Sequence, residues 1–90
     1  PTSTPDPHLR QLREQISDTD RAVVEAINTR LKPVARLKRH KDEHGIAFVD
    51  LDREARMVTE RVRENAGPLS ENGLRAFYAE LLALCKRELG

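Results

Sequence analysis

The sequence contains one cysteine, Cys85, no tryptophan, one methionine, one tyrosine and two phenylalanines in 90 residues. A lone cysteine excludes an intramolecular disulfide framework and suits a reducing compartment. The four glycines are scattered, so the chain has no glycine-rich phosphate loop. No apolar run approaches the ~20 residues needed to span a bilayer. The N-terminus also lacks the basic-then-apolar pattern of a secretory signal. These absences set the expectation of a cytoplasmic protein with no membrane partner. An excess of either charge is missing too, since 16 Lys and Arg meet 15 Asp and Glu for a formal net charge of +1. The densest basic stretch, Arg36 to Lys41, is answered at once by Asp42 and Glu43. Without a long single-sign run, nothing marks nucleic acid as a partner. Arg36, Lys38 and Arg39 read as a solvated helical face.

What the chain does have is apolar residues at helical spacing. Leu9, Ile16, Val23 and Leu37 recur every seven residues, and a second series runs Leu12, Thr19, Ala26 and then, displaced by one, Ile27 and Val34. Pro1 to Pro5 reads as a flexible tail, and residues 6–90 as one small helical domain. Asp6-Pro7 is a helix-start signature, an N-cap acceptor followed by proline at the first helical position. The pattern then predicts a helix to about Lys41, ended by Gly45. Pro33 would kink it without breaking it, because the apolar spacing resumes at Val34 and Leu37. Ile46 to Val49 is a connector. Asp50 or Asp52 caps a second helix that carries Met57, Val58 and Val62 and stops at Asn65-Ala66-Gly67-Pro68. Ser70 caps a third helix, with Leu69 and Leu74 as a hydrophobic staple. Its apolar face is Leu74, Phe77, Tyr78, Leu81, Leu82 and Cys85, where the lone cysteine reads as a small core residue.

Length then constrains assembly. A helix from Asp6 to about Glu43 is roughly 55 Å long at ~1.5 Å per residue, whereas a compact chain of this size has a radius of gyration of about 12 Å. Two shorter helices cannot cover it. The expected fold is therefore all-α, one long and two shorter helices interlocked with a second copy as a homodimeric bundle.

Charges intrude on this apolar seam. Arg30 occupies the place in the Leu9 series where another apolar residue belongs, and Lys41 follows Val34 by seven residues. Buried charges are costly unless something anionic meets them. Arg30 and Lys41 are eleven residues apart, about three turns, so they share one side of the helix, while Arg13 lies at the seam's margin. Arg53 and Glu54 open the second helix, whose free amides also favour anions. Such a set suits a small ligand with two carboxylates and a hydroxyl: Arg holds carboxylates bidentately, Lys acts as a point charge, and Glu accepts from a hydroxyl. Glu88, seven residues after Leu81, falls on or beside the third helix's apolar face. His40 and His44, four residues apart, could share a metal, but no carboxylate or cysteine completes a motif with them or with His8, so no metal site is expected. Fixed cations without nucleophile or metal work best by electrostatic preorganisation and by trapping one conformer. The competing reading makes Arg30, Lys41 and Glu88 interhelical salt-bridge partners in a plain helical dimer.

Taken together, Leu12-Arg13-Glu14-Gln15-Ile16-Ser17 with Asp20, then Arg30, Lys41 and Asp50-Leu51-Asp52-Arg53-Glu54, resemble the all-helical class of chorismate mutases. The intervals from Arg13 to Arg30, Lys41, Asp50 and Glu54 fit the family pattern without a gap, and the resemblance covers about residues 9–89. It implies conversion of chorismate to prephenate by a Claisen rearrangement with no cofactor, as a step of aromatic amino acid biosynthesis in the shikimate pathway. Arg13, contributed across the dimer interface, and Arg30 would bind the substrate carboxylates. Lys41 would reach a carboxylate and the ether oxygen. Glu54 would accept from the ring hydroxyl, helped by the backbone amide of Asp50, and Arg53 would support the carboxylate side.

The third helix departs from the family. Many members place a Gln or Glu there as a second donor to the ether oxygen. Here Glu88 is the nearest candidate, and it must be protonated to donate. Cys85 falls where a small polar substrate-binding residue is often found. The same fold also serves isochorismate-pyruvate lyases, although Glu54 at the ring-hydroxyl position leans towards the mutase. A non-catalytic helical interaction dimer is the third reading. The short Leu89-Gly90 ending resembles that of actinobacterial members activated by the first enzyme of the shikimate pathway, which makes that enzyme a candidate partner.

Overall fold

The computed structural model describes residues 6–90, so the expected tail, Pro1 to Pro5, lies outside the described residues. Three helices follow one another: α1 (Pro7–Glu43), α2 (Leu51–Glu64) and α3 (Glu71–Leu89). The described residues contain no strand. No helix among them is long and apolar enough to cross a membrane. The all-α expectation holds.

Local chemistry sets each helix boundary. The Asp6 carboxylate accepts from the His8 and Leu9 amides at 2.9 and 3.3 Å, which satisfies two donors that the first turn of α1 cannot. The helix runs through Pro33 without interruption, as the resumed apolar spacing implies. It ends in a Schellman motif: Ile46 N donates to Lys41 O at 2.8 Å and Gly45 N to Asp42 O at 3.4 Å. Gly45 takes φ +66, a left-handed conformation that a side chain resists. Of the two aspartates that could cap α2, Asp50 does so, its side chain accepting from Arg53 N at 3.1 Å. The turn to α3 is tied by Asn65, whose Nδ2 donates to Leu69 O at 2.7 Å and whose Oδ1 accepts from Gly67 N at 3.1 Å. Ser70 Oγ then caps α3 by accepting from Gly73 N at 3.0 Å.

The chain divides into two compact units, the first ending at Pro33 and the second running Val34–Gly90. In the first unit no described residue is buried, and Leu9, Leu12, Ile16, Val23 and Val24 are all exposed. The apolar residues of the predicted seam are thus left uncovered within the protomer. In the second unit α2 and α3 pack on each other. Leu74, Leu81 and Cys85 are buried there, and Met57, Val58, Val62, Tyr78 and Leu82 are half-buried. Cys85, 3% exposed, is the most enclosed of the three, as a small core residue would be. Phe77 stays exposed, its ring edge-on to Tyr78 with centroids 5.4 Å apart.

Candidate active site

The end of α1, the connector and the start of α2 form the most chemically ordered part of the second unit. The Schellman motif uses the Lys41 carbonyl and leaves its side chain free to turn towards the connector. There Lys41 Nζ donates to Phe48 O at 3.2 Å. Lys38 Nζ sits 5.8 Å from the centroid of the Phe48 ring, within cation–π range, and also bonds Asp42 Oδ2 at 2.9 Å. Phe48 is thus held at its carbonyl by one lysine and at its ring by another. The result is an open groove lined by Lys41, Ile46, Ala47, Val49, Asp50, Leu51 and Asp52. One wall carries an ammonium, and the floor is the N-terminal end of α2.

Asp50 organises that floor. In extended conformation (φ −130, ψ 94) its carboxylate accepts from Arg53 N, and its carbonyl accepts from Glu54 N at 3.0 Å. This fixes the first turn from which Arg53 and Glu54 project. Arg53 is exposed, whereas Glu54 is turned inward with its side chain 18% exposed. Glu54 Oε1 accepts from Lys86 Nζ on α3 at 3.0 Å. By contrast, the pairs Arg21–Asp18, Lys38–Asp42, Arg61–Glu64 and Arg75–Glu71 each lie within one helix.

The residues singled out from sequence are distributed as follows. Lys41 and Asp50 line the same groove at the α1–α2 junction of the second unit, and Arg53 and Glu54 follow in the first turn of α2. Cys85 is buried in α3, and Glu88 is exposed in its last turn. Arg13, exposed, and Arg30, half-buried, lie on α1 in the first unit. Sequence reasoning missed Lys86 and the Phe48 carbonyl. Lys86 had a readable signal, because it follows Leu82 by one helical turn and so borders the buried stripe. The Phe48 carbonyl had none, since any residue presents one. His40 and His44 stack with ring centroids 4.2 Å apart, and His44 Nδ1 lies 2.8 Å from His40 O. No group of three or more metal-ligating side chains occurs among the described residues.

This arrangement can hold an anion against an ammonium and offer a carboxylate to a hydroxyl, without nucleophile or metal. Two solved structures share the fold, both of a chorismate mutase from Thermus thermophilus. The Form I structure is 23% identical, with a TM-score of 0.84, covering 87% of this chain and 98% of that one. The Form II structure is 22% identical, with a TM-score of 0.86, covering 89% and 91%. No curated relative matches the sequence significantly. The profile of the family described as Chorismate mutase type II matches residues 12–88, a span that includes Arg13, Arg30, Lys41 and the whole α1–α2 junction. The chain belongs to the type II chorismate mutase family.

Proposed function

We propose that this chain rearranges chorismate to prephenate by electrostatic and conformational catalysis, as a homodimer in the cytoplasm. The observation that carries the proposal is the pre-ordered α1–α2 junction: Lys41 tethered to Phe48 O, Asp50 capping α2, and Glu54 held inward. In the reaction a carbon–oxygen bond breaks as a carbon–carbon bond forms within one molecule. No proton is transferred, so the protein's task is to hold the reactive conformer and to meet charge where it develops.

Arg30 binds one substrate carboxylate, and Arg13 of the partner subunit binds the other. Lys41 places its ammonium at a carboxylate and at the ether oxygen, where negative charge grows in the transition state. Glu54 and the Asp50 amide hold the ring hydroxyl, with Arg53 on the carboxylate side. On α3 the remaining candidates are Glu88, exposed in the last turn, and Cys85, enclosed within the protomer. The exposed apolar stripe of α1 supports the homodimer, because a second α1 would cover it and bring Arg13 with it.

The test is incubation of the purified protein with chorismate and, separately, isochorismate, with identification of the products. Prephenate from chorismate is expected. Arg30→Ala should lower kcat/KM by about 10²- to 10⁴-fold, since a bidentate clamp forms two charge-assisted hydrogen bonds of roughly 1.5–3 kcal/mol each. Salicylate and pyruvate from isochorismate as the dominant products would move the assignment to the lyase. No product from either would leave a non-catalytic helical dimer.

A further inference from the structure

A carboxylate is an awkward neighbour for a substrate that carries two of its own. Glu54 is turned inward and would face a dianion, so an uncompensated charge there repels the ligand while binding its hydroxyl. The structure supplies a counter-charge. Lys86, on the last turns of α3, places Nζ 3.0 Å from Glu54 Oε1, with the lysine side chain 37% exposed and the glutamate 18%. The pair bridges α2 and α3, which already pack on each other. It engages one oxygen of Glu54 and leaves the other for a hydroxyl. The lysine end is 37% exposed, so solvent screens part of the pair's contribution to stability, and its main consequence is sought in the site.

We propose that Lys86 is a positioning residue for the mutase reaction, neutralising and orienting Glu54 so that this carboxylate can hold the ring hydroxyl without repelling the dianionic substrate. The inference rests on the reading of the site given above. Lys86 acts through Glu54 and needs no contact of its own with the substrate. Its charge is compensated by Glu54, whereas Lys41, tethered to a neutral carbonyl, keeps its full charge for the ligand. Together the two lysines divide the labour: one attracts the anion, and the other makes the acceptor tolerable.

The experiment compares wild type, Lys86→Met, Lys86→Arg, Glu54→Gln and the Lys86→Met/Glu54→Gln double variant. Each is assayed for kcat and KM with chorismate at low and high ionic strength, with thermal melting of each. Lys86→Met should raise KM about tenfold or more at low salt and lower kcat, while melting within a few degrees of wild type. High salt screens the exposed repulsion and should shrink the KM defect. Lys86→Arg should recover most of the loss. Once Glu54→Gln has removed the charge, adding Lys86→Met should cost nothing further. An unchanged KM in Lys86→Met would overturn the proposal. So would a salt-independent defect that repeats in the Glu54→Gln background, since Lys86 would then act on the substrate or the fold directly. A folded wild type that leaves chorismate unchanged would instead refute the mutase reading beneath it.

Discussion

Ile16→Ala tests the proposed homodimer. Ile16 lies in the middle of the exposed stripe on α1 and is 61% exposed in the protomer. Complete burial of such a side chain is worth about 1.5–3 kcal/mol. Covering the exposed share should therefore contribute roughly 1–2 kcal/mol per copy. In a two-fold dimer the same residue is buried twice, so the substitution removes roughly 2–4 kcal/mol of association energy. That corresponds to a dimer dissociation constant weaker by about 30- to 900-fold. Sedimentation equilibrium over a range of protein concentrations reads it directly, with circular dichroism to verify that the helices persist. Turnover per protomer gives an independent reading. In the proposed site Arg13 comes from the partner, so the variant's specific activity should fall on dilution at concentrations where wild type's does not. A wild-type protein that is active while monomeric, or a variant whose dissociation constant stays within threefold of wild type, would refute the reasoning.

Three further outcomes follow from the fold. Leu81→Ala removes one of the three buried side chains of the second unit and should cost about 2–5 kcal/mol in chemical denaturation. Ser70→Ala abolishes the 3.0 Å cap on Gly73 N and should cost about 1 kcal/mol, with Ser70→Gly costing only a few tenths. Pro33→Ala should stabilise the protein by about 2 kcal/mol, the roughly 3 kcal/mol penalty of interior proline less the loss of unfolded-chain stiffness; a lower melting temperature would contradict this.

The three helices and their ends were legible because short-range chemistry specifies them. Asp6, Gly45, Asp50 and Ser70 each act on backbone groups within a few residues, so sequence spacing is enough to place them. The choice between Asp50 and Asp52 was open because either could present a carboxylate to the turn, and only the extended backbone at Asp50 decides it. Of the candidate site, what was legible is the part near the α1–α2 junction, where Lys41 and Asp50 line one groove and Glu54 follows in the first turn of α2. The site was least legible on α3, whose polar residues face the site or solvent according to how α3 packs on α2. Glu88 satisfies the seven-residue rule from Leu81 yet lies exposed at the helix end, whereas Lys86, off that register, meets Glu54. A heptad rule counts only positions on one seam, whereas a long side chain such as Lys86 can reach across its own helix's margin to Glu54.

The way α1 ends bears directly on the chemistry. A helix terminus must satisfy its last carbonyls, and lysine side chains often do so. In this chain Gly45 removes that demand: its left-handed conformation lets the Ile46 and Gly45 amides take the Lys41 and Asp42 carbonyls. Lys41 Nζ is then available to the connector and reaches the Phe48 carbonyl, a partner that orders the ammonium without neutralising it. At the other end of the connector Asp50 caps α2 with its own carboxylate, so Glu54 is not drawn back as a capping group and can turn inward to Lys86. Two inexpensive local devices, one glycine and one aspartate, thus leave two longer side chains uncommitted to backbone capping. A reaction that needs fixed charges rather than a nucleophile depends on that release, because each charge held in place by folding is a reorganisation the transition state does not have to make.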